Sequence, residues 1–114
     1  MSECLFCQIV SGDIPATVVH ETDDVLVFRD LNPQAPTHVL VIPKRHIVGA
    51  DTIEVTDGDV LAAMFVAAKA VADADGVAES GYRTVFNVGP DSGQTVRHLH
   101  LHVLGGRGMS WPPG

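Results

Sequence analysis

The run His98-Leu99-His100-Leu101-His102-Val103-Leu104 constrains this chain more than any other stretch. Alternation of imidazole and aliphatic residues fits a β-strand, in which successive side chains point to opposite faces. His98, His100 and His102 then share one face, and Leu99, Leu101 and Val103 share the other. The aliphatic row suits a core. The imidazole row takes three of the six histidines in a 114-residue chain, so chance placement on a solvated face accounts for it poorly.

Two chemistries compete for such a row. A three-histidine metal site is hard to build, because His98 and His102 start about 13 Å apart along a strand. Ligand nitrogens must each come within about 2.1 Å of a zinc ion, so without a bulge only neighbouring pairs can chelate. The row is better read as dividing its duties. Neutral imidazole is a good nucleophile near pH 7, and its N–H can assist a leaving group. Two histidines about 6–7 Å apart on a strand can flank a tetrahedral phosphorus.

The rest of the chain predicts how the row is held. "LFCQIVSGDIPA" has the spacing of a short helix, stopped by Gly12 and Pro15. Three strands are expected at about 17–20, 25–29 and 38–43, separated by Thr22-Asp23-Asp24 and by the Pro-rich loop 32–36. A long helix from about 57 to 74, capped by Thr56 or Asp57, places Val60, Met64, Ala67, Ala68 and Val71 on one face. "YRTVFNV" and "RHLHLHVLG" supply two further strands. These elements predict one α+β domain over 1–114, an antiparallel sheet with one long and one short helix.

Composition excludes some partners. The formal net charge is −7 and the seven Lys and Arg are scattered, so no nucleic-acid footprint is present. A small phosphorylated ligand remains open, since backbone N–H groups can hold it without a basic surface. The longest apolar stretch, "LAAMFVAAKAVA", is too short for a membrane span and carries Lys69. "MSECLFCQIV" lacks the basic and apolar regions of a secretory signal, so a cytoplasmic protein is expected. There a structural disulfide between Cys4 and Cys7 is disfavoured, and two readings stand: half of a tetrahedral zinc site, or a reduced pair packed on the first helix.

"HLHLHVL" resembles the H-φ-H-φ-H-φ-φ signature, with φ hydrophobic, of the histidine triad (HIT) family of nucleotide hydrolases and transferases. "LFCQIVSGDIPA", "FRDLNPQAPTHVLVIPKRHI" and "GGRGMSWPPG" extend the resemblance over nearly the whole chain, toward the nucleotide-binding branch of purine nucleoside phosphoramidases. The resemblance implies a two-fold homodimer in which His100 attacks an α-phosphorus and forms a nucleotidyl-histidine. His102, His38 and Thr95 would complete the catalytic group, Thr95 standing where relatives often carry serine and bonding the phosphate or leaving group through its hydroxyl. Asn87 and the loop holding Gly93 and Gln94 would contact phosphate. Asp30 would bind the ribose hydroxyls, and Leu5, Phe6, Ile9, Phe28 and Leu31 the purine. Trp111, in the tail near the partner subunit, would shape leaving-group preference, which Ser110 leaves open. His46 and His98 would complete a structural zinc site with Cys4 and Cys7, while catalysis itself needs no cofactor. The function implied is hydrolysis of nucleoside 5′-phosphoramidates to a purine nucleoside monophosphate and an amine. Its alternatives are a dinucleoside polyphosphate hydrolase and a nucleotide-binding regulatory protein.

Overall fold

The computed structural model describes residues 3–114; Met1 and Ser2, which open the expected 1–114 domain, lie outside the described residues. Helix α1 (Leu5–Ser11) ends where Gly12 takes a left-handed conformation and turns its N–H back onto the Gln8 and Ile9 carbonyls. Strands β1 (Val18–Glu21), β2 (Val25–Arg29) and β3 (Thr37–Pro43) follow, then helix α2 (Gly58–Ala74), β4 (Tyr82–Val85) and β5 (Leu101–Gly105). The five strands form one sheet in the order β1-β2-β3-β5-β4, with every neighbouring pair antiparallel. The α+β architecture read from the sequence is the one observed.

Strand parity divides the core in two. Val25, Val27, Val39, Val41, Leu99, Leu101 and Val103 face Val60, Met64, Ala67, Ala68 and Val71 of α2. The residues between them, Leu26, Phe28, Leu40 and Ile42, pack on the other face against Phe6 of α1. Both sheet faces are thus covered, which is why β3 is apolar almost throughout and wholly buried. Arg29 clamps the assembly by a two-pronged bond to Asp75, at 2.5 and 2.9 Å, and the Thr37 hydroxyl donates to the same carboxylate at 2.9 Å. The guanidinium holds the Asp75 carboxyl below its ordinary pKa.

Three expectations are corrected. The final strand begins at Leu101 rather than Arg97, so His98 and His100 precede the ladder. Val41 pairs with Leu101, and continuing that register would set Leu99 against Pro43, which has no N–H to contribute; the Leu99 N–H goes to the Ile47 carbonyl instead. The expected strand over 82–88 stops at Val85, paired with His102, after which Phe86 turns in to pack on Phe65 of α2. Asp57 occupies the position before α2, but neither it nor Thr56 caps the helix by side chain. The Asp57 carboxylate instead accepts from the Glu54 N–H at 2.8 Å and pairs with Arg45.

Candidate functional site

His98, His100 and His102 keep the alternation although only His102 lies within β5. Leu99 and Leu101 drop into the core beneath α2, which turns the imidazoles to the α1 face. There the Phe6 ring meets His98 and His100 edge-on, with centroids 6.0 and 5.1 Å away. His98 and His100 are buried and His102 is half-buried.

The hydrogen bonds fix which nitrogen carries each proton. His100 Nδ1 lies 2.7 Å from the His98 carbonyl, an acceptor, so Nδ1 is the protonated atom and Nε2 keeps its lone pair. The Gln34 N–H donates to His38 Nδ1 at 3.0 Å, which leaves the proton of neutral His38 on Nε2. His38 Nε2 in turn lies 2.9 Å from His102 Nδ1 and donates to it, so neutral His102 carries its proton on Nε2. The His100 and His102 rings are neighbours, with centroids 5.1 Å apart. A nucleophilic lone pair and an N–H donor therefore stand side by side.

Burial, more than any neighbour, sets the charge state of His38 and His102. It lowers the pKa of His102 to about 4, with His100 and His38 adding to the shift and Asp30 opposing it. Burial lowers His38 as well, again against Asp30, whose Oδ2 lies 3.5 Å from Nε2. Both rings are neutral in the folded protein where the unfolded chain begins to bind protons, below the ordinary pKa of about 6.5. The unfolded state then takes up more protons, so stability is full above pH 6.5 and declines as the pH falls. Urea unfolding should lose about 1 kcal/mol between pH 7 and pH 5, after allowing for solvent screening at half-exposed His102. A stability that stays level or rises over that interval would show that these rings are charged in the fold.

Beside the histidines, Leu5, Phe6, Ile9, Phe28 and Leu40 line a largely apolar cleft of about 200 Å³, with Leu31 and Asp30 at its margin. Phe6 joins cleft to triad, its ring centroid 5.5 Å from that of Phe28. Leu31 stands in full solvent on the loop between β2 and β3, and Leu5 is also exposed. Asp30 closes that loop's first turn, since its Oδ1 accepts from the Asn32 N–H at 2.8 Å and Oδ2 stays on the His38 side.

The remaining expected residues are placed less directly. Gly93 takes a left-handed turn after Pro90–Ser92. Gln94 braces its own loop, its Oε1 accepting from the Gly89 N–H at 2.9 Å and its Nε2 donating to the Val96 carbonyl at 3.3 Å. Thr95 is exposed, Asn87 is half-buried just past β4, and neither bonds to another side chain among the described residues. Trp111 is exposed on the tail. Gln34 was not anticipated; its contribution is a backbone N–H, which any residue but proline supplies.

A second cluster lies on the far side of His98. Cys4 Sγ, Cys7 Sγ, His46 Nδ1 and His98 Nδ1 all lie within 4.8 Å of one another. His98 Nδ1 is 3.1 Å from His46 Nδ1, 3.3 Å from Cys4 Sγ and 3.5 Å from Cys7 Sγ, and Cys7 Sγ is 3.4 Å from His46 Nδ1. Zinc bonds of about 2.05 Å to nitrogen and 2.3 Å to sulfur span a tetrahedron with edges of about 3.3–3.8 Å. The set matches that size. His98 Nε2 donates to the Pro43 carbonyl at 2.9 Å, which leaves Nδ1 unprotonated toward the cluster, as a ligating histidine requires. These four residues can hold a tetrahedral zinc ion.

Asp30, His38 and His102 also lie close enough to chelate, but their protonation is wrong for it. A neutral histidine binding metal through Nε2 needs its proton on Nδ1, and His38 Nδ1 already accepts the Gln34 N–H. This trio is a proton-ordered hydrogen-bond group.

Among the described residues, no helix is long and apolar enough to cross a membrane. The family model for the HIT domain matches residues 11–109. The crystal structure of a HIT family hydrolase from Legionella pneumophila superposes with a TM-score of 0.96 at 54% identity, covering 98% of this chain and 100% of that one. The "14 kDa zinc-binding protein" of Zea mays is 48% identical over 99% of this chain and 89% of its own length. "Adenylylsulfatase HINT1" of Arabidopsis thaliana is 47% identical over 99% of this chain and 78% of its own.

Proposed function

This chain belongs to the HIT family, and we propose that within it the protein cleaves the P–N bond of purine nucleoside 5′-phosphoramidates, through a nucleotidyl-histidine on His100. One observation carries the reading: His100 Nε2 has a lone pair, and the adjacent His102 presents an N–H on its own Nε2. The apolar cleft beside them suits a flat base, and Asp30 at its edge suits two ribose hydroxyls. The α-phosphate of a nucleotide seated there would lie at the imidazoles.

In this mechanism His100 Nε2 attacks phosphorus while the His102 Nε2–H hydrogen-bonds the leaving nitrogen, and the P–N bond breaks as that nitrogen takes a proton supplied by solvent through His102, which returns to its neutral form. A proton that reaches His102 is readily given up, because burial lowers the ring's pKa to about 4. Water then cleaves the nucleotidyl-histidine to release the monophosphate. The backbone around Gly93 and the side chains of Asn87 and Thr95 are assigned to phosphate, and Trp111 to the leaving group. The Cys4, Cys7, His46 and His98 group is assigned a structural zinc, which would cross-link the start of α1 to the triad segment without entering the reaction. A two-fold dimer is supported by the open outer edge of β4, by exposed Val88 just past it and by exposed Phe65, which packs on Phe86. A dimer requires sedimentation at twice the chain mass of 12.1 kDa.

The deciding assay releases a fluorescent amine from an adenosine 5′-phosphoramidate, with diadenosine polyphosphate and adenosine 5′-phosphosulfate in parallel. The last substrate is included because the Arabidopsis relative is named for that cleavage. Amine release faster than either competing reaction supports the assignment. Preferential cleavage of a competitor moves the leaving group, while binding without turnover moves the protein to a regulatory class.

Asp30→Ala isolates the ribose contact. A charge-assisted bond is worth about 1.5–3 kcal/mol, so losing even one should lower affinity for adenosine monophosphate roughly 10- to 150-fold. Calorimetry with inorganic phosphate should change little. Equal losses for both ligands would remove Asp30 from the ribose.

A further inference from the structure

Gln34 sits on the exposed loop between β2 and β3, next to Pro33 and two residues before Pro36. Both backbone polar groups of this residue are held. Its N–H donates to His38 Nδ1 at 3.0 Å, and its carbonyl accepts from Arg107 Nε at 2.9 Å. Arg107 lies just past β5, and its Nη1 donates to the Gly108 carbonyl at 3.1 Å. The neighbouring Gly106 has φ +89°, and a Cβ there would come 2.9 Å from the Pro36 ring. The segment after β5 is thus pressed against the loop and bonded to it. Among the described residues, the Arg107 bond is the one hydrogen bond reaching Gln34 from outside the β2–β3 hairpin.

We propose that Arg107 is a positioning residue: by anchoring the Gln34 carbonyl it keeps the Gln34 N–H on His38 Nδ1, and so sets the proton order of the His38–His102 pair. The inference rests on the reading of His102 as the donor on the leaving-group side. Without the anchor, residues 31–34 are tied only to their own hairpin, and His38 Nδ1 loses its fixed donor. Neutral His38 then carries its proton on either nitrogen. With the proton on Nδ1, His38 Nε2 becomes an acceptor and His102 must donate from its own Nδ1. His102 Nε2 is then bare, and the N–H that faces substrate is gone. Arginine suits the task because its planar fork serves the Gln34 and Gly108 carbonyls together, which a lysine ammonium on a flexible stem does not reproduce.

The test uses the full chain with 15N-labelled histidine. Long-range 1H–15N spectra of the wild type should give His38 and His102 each with a protonated Nε2 and a bare Nδ1. Arg107→Met keeps the alkyl stem and removes the donor. It should give averaged nitrogen shifts at both rings, with kcat down about tenfold and KM within about twofold. Arg107→Lys keeps the charge and should behave like Arg107→Met. Arg107 is exposed, so thermal midpoints should stay within a few degrees. Unchanged His38 nitrogen shifts in Arg107→Met overturn the inference, and so does full recovery in Arg107→Lys, which would make charge the cause. Because the nitrogen spectra need no substrate, a wild type without phosphoramidase activity leaves this result readable.

Discussion

His100→Asn should lower turnover of an adenosine 5′-phosphoramidate by about a thousandfold or more while the fold and the nucleotide site survive. The expectation comes from what each atom of His100 does. Nδ1–H satisfies the His98 carbonyl, Nε2 carries the lone pair, and the ring packs edge-on against Phe6. An alanine would remove all three and leave a buried carbonyl unpaired, so inactivity would be ambiguous. Asparagine can keep a donor for the His98 carbonyl while lacking the nucleophile. Losing an attacking group costs several orders of magnitude even where the rest of a site still binds and polarises substrate. Calorimetry should find adenosine monophosphate affinity within a few-fold of wild type. A rapid quench of the wild type with radiolabelled nucleotide should trap phosphorus on protein, and His100→Asn should trap none. Substantial turnover by the variant would place the attacking group elsewhere, with water as the first alternative.

The second large effect concerns the cluster behind His98. Protein purified without chelator should carry close to one zinc per chain, and Cys4→Ser should lose it. Serine is the informative substitution because Cys4 would then have two roles. Its sulfur accepts from the Cys7 N–H at the start of α1, a capping role that a serine hydroxyl fills at least as well. What remains is the thiolate, which a hard hydroxyl does not replace as a zinc ligand. Metal bound only by the folded state contributes its binding free energy to folding. A seven-residue helix is too short to hold itself in water, so α1 would depend on this anchor and on Phe6. The thermal midpoint should fall by roughly 10 °C or more in Cys4→Ser and in chelated wild type. Hydrogen exchange should rise first in α1, while α2 and the central strands keep their protection. Adenosine monophosphate should also bind more weakly, since Leu5, Phe6 and Ile9 reach the cleft from α1. A metal-free protein with an unchanged midpoint would make the cluster a reduced pair of cysteines beside two histidines.

The fold was largely legible because its signals are local. Alternation in "HLHLHVL", the helical face from Val60 to Val71 and the turns at residues 22–24 and 32–36 each specify an element before any contact forms. Boundaries were less legible where pairing decides them. The final strand starts late because extending its register would set Leu99 against Pro43, which lacks an N–H, and Asp57 turned from capping to Arg45, twelve residues away. Residue types in the site were also visible, because a histidine row and a C-x-x-C pair are rare enough to demand an explanation. Strand geometry already divides the duties of the row, whereas only the family resemblance points to His46 and His98 as the other half of the candidate metal set.

The sequence by itself determined which groups were available: three imidazoles in register, a carboxylate before a Pro-rich loop, two thiols one helical turn apart, and an apolar helix to carry them. Tertiary structure decided what each group can do. His98 faces the thiols because Pro43 takes its other nitrogen, and His100 presents a bare Nε2 because the His98 carbonyl holds its proton. His102 keeps an N–H because a loop amide four residues before His38 fixes that ring. Those bonds join positions 55 and 64 residues apart, or use backbone atoms common to every residue, so composition and spacing carry no trace of them. A proton's place on an imidazole is a property of the neighbour across from it, and only the folded chain supplies that neighbour.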